Sequence, residues 1–147
     1  MCASVLSMEK IVCYTDGGAR GNPGPAGAGA VISKADGTVI AALSEFLGNA
    51  TNNFAEYAAV VLVLKMLKKH FGNKTKTLTV EVRMDSELVA RQLSYQYQIK
   101  EPSLVPQFLE IHNMRIKDFP HIIFVHIPRA KNKHADRLAN EAMDRKR

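Results

Sequence analysis

Apolar stretches of two kinds divide the chain: some alternate or run straight over a few residues, and others repeat at helical spacing. Ile11–Thr15 is a short apolar strand, and Ala26–Lys34 (AGAGAVISK) a second, thin in side chains at its start. Asp36-Gly37 is a hairpin signal, and Thr38–Phe46 returns as a third strand, which predicts an antiparallel meander. Thr51-Asn-Asn-Phe-Ala-Glu56 opens a helix, with Thr51 or Asn52 as its N-cap, and Ala55–His70 continues it. From Tyr57 to Leu67 that helix is apolar nearly all round, so it is expected to be buried on most sides. Lys68, Lys69 and His70 suit the negative end of its dipole, and Gly72-Asn73 stops it.

Thr77–Met84 alternates and is rich in β-branched residues, so it reads as a strand. It runs into Asp85-Ser86, which starts a helix to about Leu93; Ser94–Pro106, with its two prolines, is irregular. Leu104–Asp118 holds a helix with Phe108, Ile111 and Ile116 toward the core, and His121–Ile127 (HIIFVHI) reads as a buried strand. After a polar loop at Pro128–Lys133, a last amphipathic helix runs from Asn132 or Lys133 through Met143, with Ala135, Leu138, Ala139 and Ala142 on one face. An antiparallel unit followed by βα units implies an α/β fold, a mixed sheet with helices packed on it.

At 147 residues the chain suits one domain with a real core. Its longest apolar run, Ala58–Leu64, is far too short to cross a bilayer. The start, MCASVLS, lacks the basic-then-apolar order of a secretion signal, and Met8 offers an alternative start. Cys2 and Cys13 make no disulfide framework; Cys13 reads as a small core hydrophobe, and a cytoplasmic setting is the default. Twenty basic against 14 acidic residues give a net charge of +6, which points to a polyanion, nucleic acid first, or to a basic surface kept for solubility. The charge is concentrated at Lys65–Lys76 and in Arg129–Arg147, where seven basic residues face three acidic ones.

The chemistry is carried by acids at element ends. Val12-Cys-Tyr-Thr-Asp16 is an apolar strand that runs into one Asp and then a glycine-rich turn, Gly17 to Gly29. A carboxylate beside backbone that a ligand can approach closely suits a metal-assisted phosphate site, although a plain hairpin turn accounts for the same stretch. Glu56 early in the long helix, Asp85 after the fourth strand and Asp136 at the start of the last helix are its possible partners. If strands one and four are neighbours, Asp16 and Asp85 converge at the edge where α/β sheets bind ligands. Such clustering is unfavourable without cations, and hard divalent ions such as Mg²⁺ relieve it. Two ions about 4 Å apart can hold both the attacking and leaving oxygens of a phosphodiester.

Tyr14-Thr-Asp16-Gly-Gly with Gly21-Asn22-Pro-Gly, then Thr51-Asn-Asn-x-x-Glu56, then Asp85-Ser86, then Asn132-x-x-Ala-Asp136-x-Leu-Ala139 resembles type 1 ribonuclease H over roughly residues 9–145. The resemblance implies a ribonuclease H-like mixed five-stranded sheet, three antiparallel strands then parallel ones. With Met8 as an alternative start, residues 1–8 are expected to be a flexible extension and 9–147 a single domain. The resemblance further implies an endonuclease that hydrolyses the RNA strand of RNA–DNA hybrids, leaving 5′-phosphate and 3′-hydroxyl ends. The sequence leaves double-stranded RNA open as a further partner, and with no sign of an obligate oligomer a monomer is expected. Two Mg²⁺ ions, with Mn²⁺ as a substitute, would be held by Asp16, Glu56, Asp85 and Asp136. In that scheme Asp16 bridges both ions, Asp136 serves the ion that activates water, and Glu56 with Asp85 serves the ion at the leaving oxygen. Gly17, Gly18, Asn22, Asn52 and Asn53 match positions that track the minor groove, and Thr51 one that contacts a DNA phosphate. Asn22 also suits the turn and Asn52 a helix cap.

The chain departs from that pattern in four places. The loop before Asp136 has no His, and Arg129 is the residue there best placed to stabilise charge; its guanidinium stays protonated. Ser94–Pro106 has no Trp and one Lys, so it is no basic protrusion, and the grip on a hybrid is expected from the terminal and mid-chain basic clusters. Tyr95 or Tyr97 could stack on a sugar or pack. Glu87 stands where a neutral amide is common and either faces the groove or favours its helix start. Arg20 either reaches a phosphate or is a solvated loop residue. The competing readings are a non-catalytic hybrid or double-stranded RNA binding module, and a related exonuclease or resolvase on this fold.

Overall fold

The computed structural model describes residues 8–147. All of the expected 1–8 extension except Met8, Cys2 included, lies outside the described residues. Three strands, β1 (Glu9–Ala19), β2 (Gly24–Lys34) and β3 (Val39–Ala50), form the antiparallel meander. Helix α1 (Asn52–Phe71) follows, then β4 (Leu78–Met84), α2 (Glu87–Leu93), α3 (Val105–Asp118), β5 (Ile122–His126) and α4 (Lys133–Arg145). The sheet order is β3-β2-β1-β4-β5, with β4 parallel to both β1 and β5. No helix among the described residues is long and apolar enough to cross a membrane.

The two faces of the sheet are covered differently. Ile11 and Cys13 of β1, Ala30 and Ile32 of β2 and Val80 and Val82 of β4 pack with Tyr57, Val60, Leu64 and Leu67 of α1 in the main core. Cys13 is fully buried there as expected, and burial pushes its thiol pKa up. On the opposite face α4 lies on β2. A Cβ at Gly29 would stand 2.3 Å from the Ala135 carbonyl oxygen, and one at Gly27 2.6 Å from that of Ala139. The thinness of the second strand is therefore what lets α4 sit against the sheet.

Thr51 caps α1 by accepting the Phe54 amide at 3.2 Å, and Gly72 ends it at φ 58°, as the sequence predicts. Three expectations are corrected. β1 does not stop at Thr15 but continues through Asp16, Gly17 and Gly18 to Ala19, paired with β2 throughout; only its parallel ladder with β4 ends at Thr15. β5 is an edge strand, with Ile123 56% exposed, because β4 is its one neighbour. Ile116 is 71% exposed. Five residues past Ile111 is about 140° round a helix, and Met114 packs inward with Phe108 and Ile111 instead.

Candidate active site

Register brings the first two acids together. The last rung of the β1–β4 ladder is Thr15 with Met84, so Asp16 and Asp85 follow it side by side. Glu56 arrives from α1, whose first turn presses on β1. A Cβ at Gly17 would stand 2.2 Å from the carbonyl carbon of Ala55 and 2.4 Å from the Glu56 amide nitrogen, so only glycine leaves room. Asp136 lies in the first turn of α4. Asn132, 1% exposed, donates its Nδ2 to the Thr15 carbonyl at 2.8 Å, while its own carbonyl accepts the Asp136 amide at 3.1 Å. That side chain ties the residue before Asp16 to the turn that carries Asp136.

Asp16, Glu56 and Asp85 each offer an oxygen within 4.8 Å of the others. Asp136 lies within hydrogen-bond reach of Asp16 from the other side. Burial, then the charge of Asp85, then the Asp136 carboxyl push the Asp16 pKa from 3.8 up to about 8. Burial, followed by the charges of Asp16 and Asp85, holds Glu56 well above the ordinary carboxylate range. Glu56 Oε2 is buried with no hydrogen-bond partner. An orphaned carboxylate oxygen in an all-oxygen donor set fits a hard divalent cation.

These acids line an open cavity of about 440 Å³ together with Gly17, Gly18, Arg20, Asn52, Arg129, Asn140 and Met143. Asn22, Thr51, Asn53 and Glu87 are outside its lining, as are His126 and His134. Asn22 and Asn52 interlock beside it: Asn22 Oδ1 accepts the Asn52 amide at 3.0 Å, and Asn52 Oδ1 accepts the Ala19 amide at 2.8 Å. Arg20 is paired with Asp144 and reaches Asn140 Oδ1 at 3.5 Å, so it is braced against α4 while its side chain stays exposed. Glu87 accepts from Arg91 Nε at 2.9 Å, one helical turn on. Arg129 is 82% exposed on its side chain, 3.9 Å from Asp136. The Tyr95 hydroxyl is 2.8 Å from His112 Nδ1, and Arg91 lies over the Tyr97 ring, so both tyrosines have packing partners. Lys65 and Lys68 are paired with Glu110 and Asp118, and Lys68 is about 18 Å along the helix axis from Glu56.

Neither Asn140 nor the Asn132 tether is among the residues expected from the sequence to act in the site. Asn140 donates to the Asp136 carbonyl at 2.9 Å while it faces Arg20. Both residues stand four positions from Asp136, and that spacing on one helix face was the available signal.

A sequence model of the Reverse transcriptase-like family matches residues 14–142. The structure of LC11-RNase H1, isolated from compost by a metagenomic approach, is 50% identical and superposes with a TM-score of 0.89, covering 94% of this chain and 98% of that one. The chain belongs to the type 1 ribonuclease H family. A second LC11-RNase H1 structure, in complex with RNA/DNA hybrid, is 49% identical with a TM-score of 0.88, covering 92% of this chain and 97% of that one. Ribonuclease HI of Halobacterium salinarum is 38% identical over 135 residues, 92% of this chain and 65% of that protein. A bifunctional protein of Mycobacterium tuberculosis is 42% identical over 136 residues, 92% of this chain; the chain spans only 36% of that relative's length. The ribonuclease H family is metal-dependent, and the carboxylate cluster could bind a metal ion.

The raised Asp16 pKa sets a testable sign. An Asp that ionises less readily when folded favours folding fully below its unfolded pKa, and that contribution is lost as pH rises through the folded value. Metal-free protein is therefore expected to lose stability from about pH 4 to pH 8 on account of Asp16. Thermal melts in EDTA should show Asp16→Asn with a higher Tm than wild type at pH 8 and the two close together at pH 4. A lower Tm for the variant at pH 8 would show that the Asp16 charge is not a burden on the fold.

Proposed function

We propose that this chain hydrolyses the RNA strand of RNA–DNA hybrids as a Mg²⁺-dependent endonuclease, with Mn²⁺ as a substitute, leaving 5′-phosphate and 3′-hydroxyl ends. The observation that carries the reading is the convergence of four carboxylates from β1, α1, the β4 end and α4 on one open cavity, with Glu56 Oε2 left unpartnered. A binder of phosphates gains nothing from such negative charge unless cations are part of its chemistry. The solved hybrid complex of LC11-RNase H1 supports the choice of substrate.

Asp16, Glu56 and Asp85 would hold one ion, and Asp16 with Asp136 the other. Bound there, divalent ions supply an activated water and a counter-charge for the leaving oxygen. The chain's own part is to place the duplex. Asn22 and Asn52 each use their Oδ1 on the protein and keep Nδ2 for the minor groove. Thr51 accepts from Phe54, which leaves its hydroxyl hydrogen for a DNA-strand phosphate. Gly17 and Gly18 give the RNA strand a surface without side chains, and Arg20, braced by Asp144, holds positive charge beside it. Glu87, partly neutralised by Arg91, flanks the groove side. Arg129, beside Asp136, supplies a fixed charge and no base, because its guanidinium stays protonated. The four carboxylates all lie within residues 9–147, which form the working unit, and that unit acts as a monomer. A cytoplasmic setting goes with that substrate, and RNA duplexes are the next duplex to try.

The test is cleavage of end-labelled hybrid, RNA duplex and DNA duplex side by side. Hybrid cleavage in Mg²⁺ that stops in EDTA and in Asp16→Asn is expected; cleavage that persists in either contradicts the mechanism, and hybrid binding without cleavage favours a non-catalytic module. Arg129→Ala should lower kcat more than it weakens hybrid binding, which single-turnover rates and a binding titration separate; wild-type turnover would remove Arg129 from the chemistry.

A further inference from the structure

A side-chain amide has a donor end and an acceptor end, and a partner of fixed polarity decides which end remains free. A backbone N–H can only donate, so Asn22 and Asn52 spend their oxygens on the Asn52 and Ala19 N–H groups and keep Nδ2 for another partner. Asn53, the next residue, is held the other way round. Its Nδ2 donates to Glu101 Oε1 at 2.9 Å. A carboxylate only accepts, so Asn53 keeps Oδ1 free.

Glu101 lies 48 residues away, in the irregular segment between α2 and α3, and that segment is pinned to α1. Gln92, 4% exposed, accepts from the Tyr57 hydroxyl at 2.7 Å and donates to the Gln98 carbonyl at 3.3 Å. Tyr57 stands one helical turn beyond Asn53, on the same side of α1. Gln107 Nε2 reaches the Phe54 carbonyl at 3.4 Å from the far side of the segment. Glu101 is thus delivered to Asn53 from a strap fastened at both ends.

We propose that Glu101 is a positioning residue that makes Asn53 an acceptor, so that Asn53 reads a hydrogen-bond donor in the minor groove of the hybrid. Acceptors, purine N3 and pyrimidine O2, stand at every base pair there, and the Nδ2 donors of Asn22 and Asn52 suit any sequence. Donors are rarer: the guanine 2-amino group and the ribose 2′-hydroxyl. An acceptor at Asn53 therefore gives the site a means of preferring a ribose or a guanine at one register. The inference rests on the hybrid-cleaving function proposed above.

The test uses hybrids in which a short ribonucleotide block in an otherwise 2′-O-methylated strand restricts cutting to one place. Position by position within that block, inosine replaces guanosine in one series, removing the 2-amino group, and 2′-fluoro replaces the 2′-hydroxyl in the other. For wild type, one replacement at one register should raise KM about fivefold, the scale of a single hydrogen bond, while kcat holds. The series that shows it names the donor. The penalty should vanish in Asn53→Ala and in Glu101→Ala, and persist in Glu101→Gln, whose Oε1 still accepts from Asn53. It should also vanish in Glu101→Lys, which can only donate and so turns Asn53 to face outward with Nδ2. A penalty of wild-type size in Glu101→Ala or Glu101→Lys, or no register-specific penalty in a wild-type protein that cuts hybrids, would overturn the proposal. Absence of hybrid cleavage by wild type would instead overturn the function on which it rests.

Discussion

Four carboxylates in one cavity repel one another, and that repulsion is the constraint to which the rest of this structure answers. Asp16 is 8% exposed and Glu56 equally so, and burial raises both pKa values before any neighbour's charge is considered. Left alone, such a cluster would be relieved by protonation or by opening. The fold prevents opening. Asp16 is locked in the β1–β2 ladder, Glu56 is pressed down by the approach of α1 to Gly17, and Asp136 is tied to the residue before Asp16 through Asn132. What remains is protonation or a cation, and both occupy the same oxygens.

The small residues of the first hairpin take their meaning from that constraint. Asp16 and Gly29 are direct partners across β1 and β2. Gly29 lets α4 lie against the sheet on the face where Asp136 is needed, and Gly17, on the alternate face, lets α1 bring Glu56. Two helices on opposite faces thus deliver acids to one point at the end of the β1–β4 ladder. The donors and acceptors of Asn22, Asn52 and Asn53 are set by the same scaffold: each amide has one end committed to it.

Much of this was legible in the chain because it depends on local order. The meander, the Thr51 cap, the Gly72 stop and the placing of Asp85 after β4 follow from turn and cap chemistry. The pairing of β1 with β4, open from the sequence alone, is a parallel ladder between strands far apart in the chain. The misses share a cause, dependence on distant partners. That β1 would run on through Asp16-Gly-Gly depends on β2 matching it residue for residue. The exposure of Ile123 depends on nothing covering the outer side of β5. Glu101 meets Asn53 only because the strap between α2 and α3 folds back over α1, and no spacing along the chain announces that. The grip expected of the mid-chain lysines met a similar limit: α1 carries them away from Glu56, and two of them are spent on Glu110 and Asp118.

The central claim, that the cluster holds protons which a divalent cation replaces, is tested most directly by counting them. Titration calorimetry of Mn²⁺ into metal-free protein at pH 7, repeated in buffers of different ionisation enthalpy, reads the protons released on binding. With Asp16 at about 8 and Glu56 well above its ordinary range, binding should release about one proton or more per chain. Cation binding at the cluster with no proton release would contradict the account.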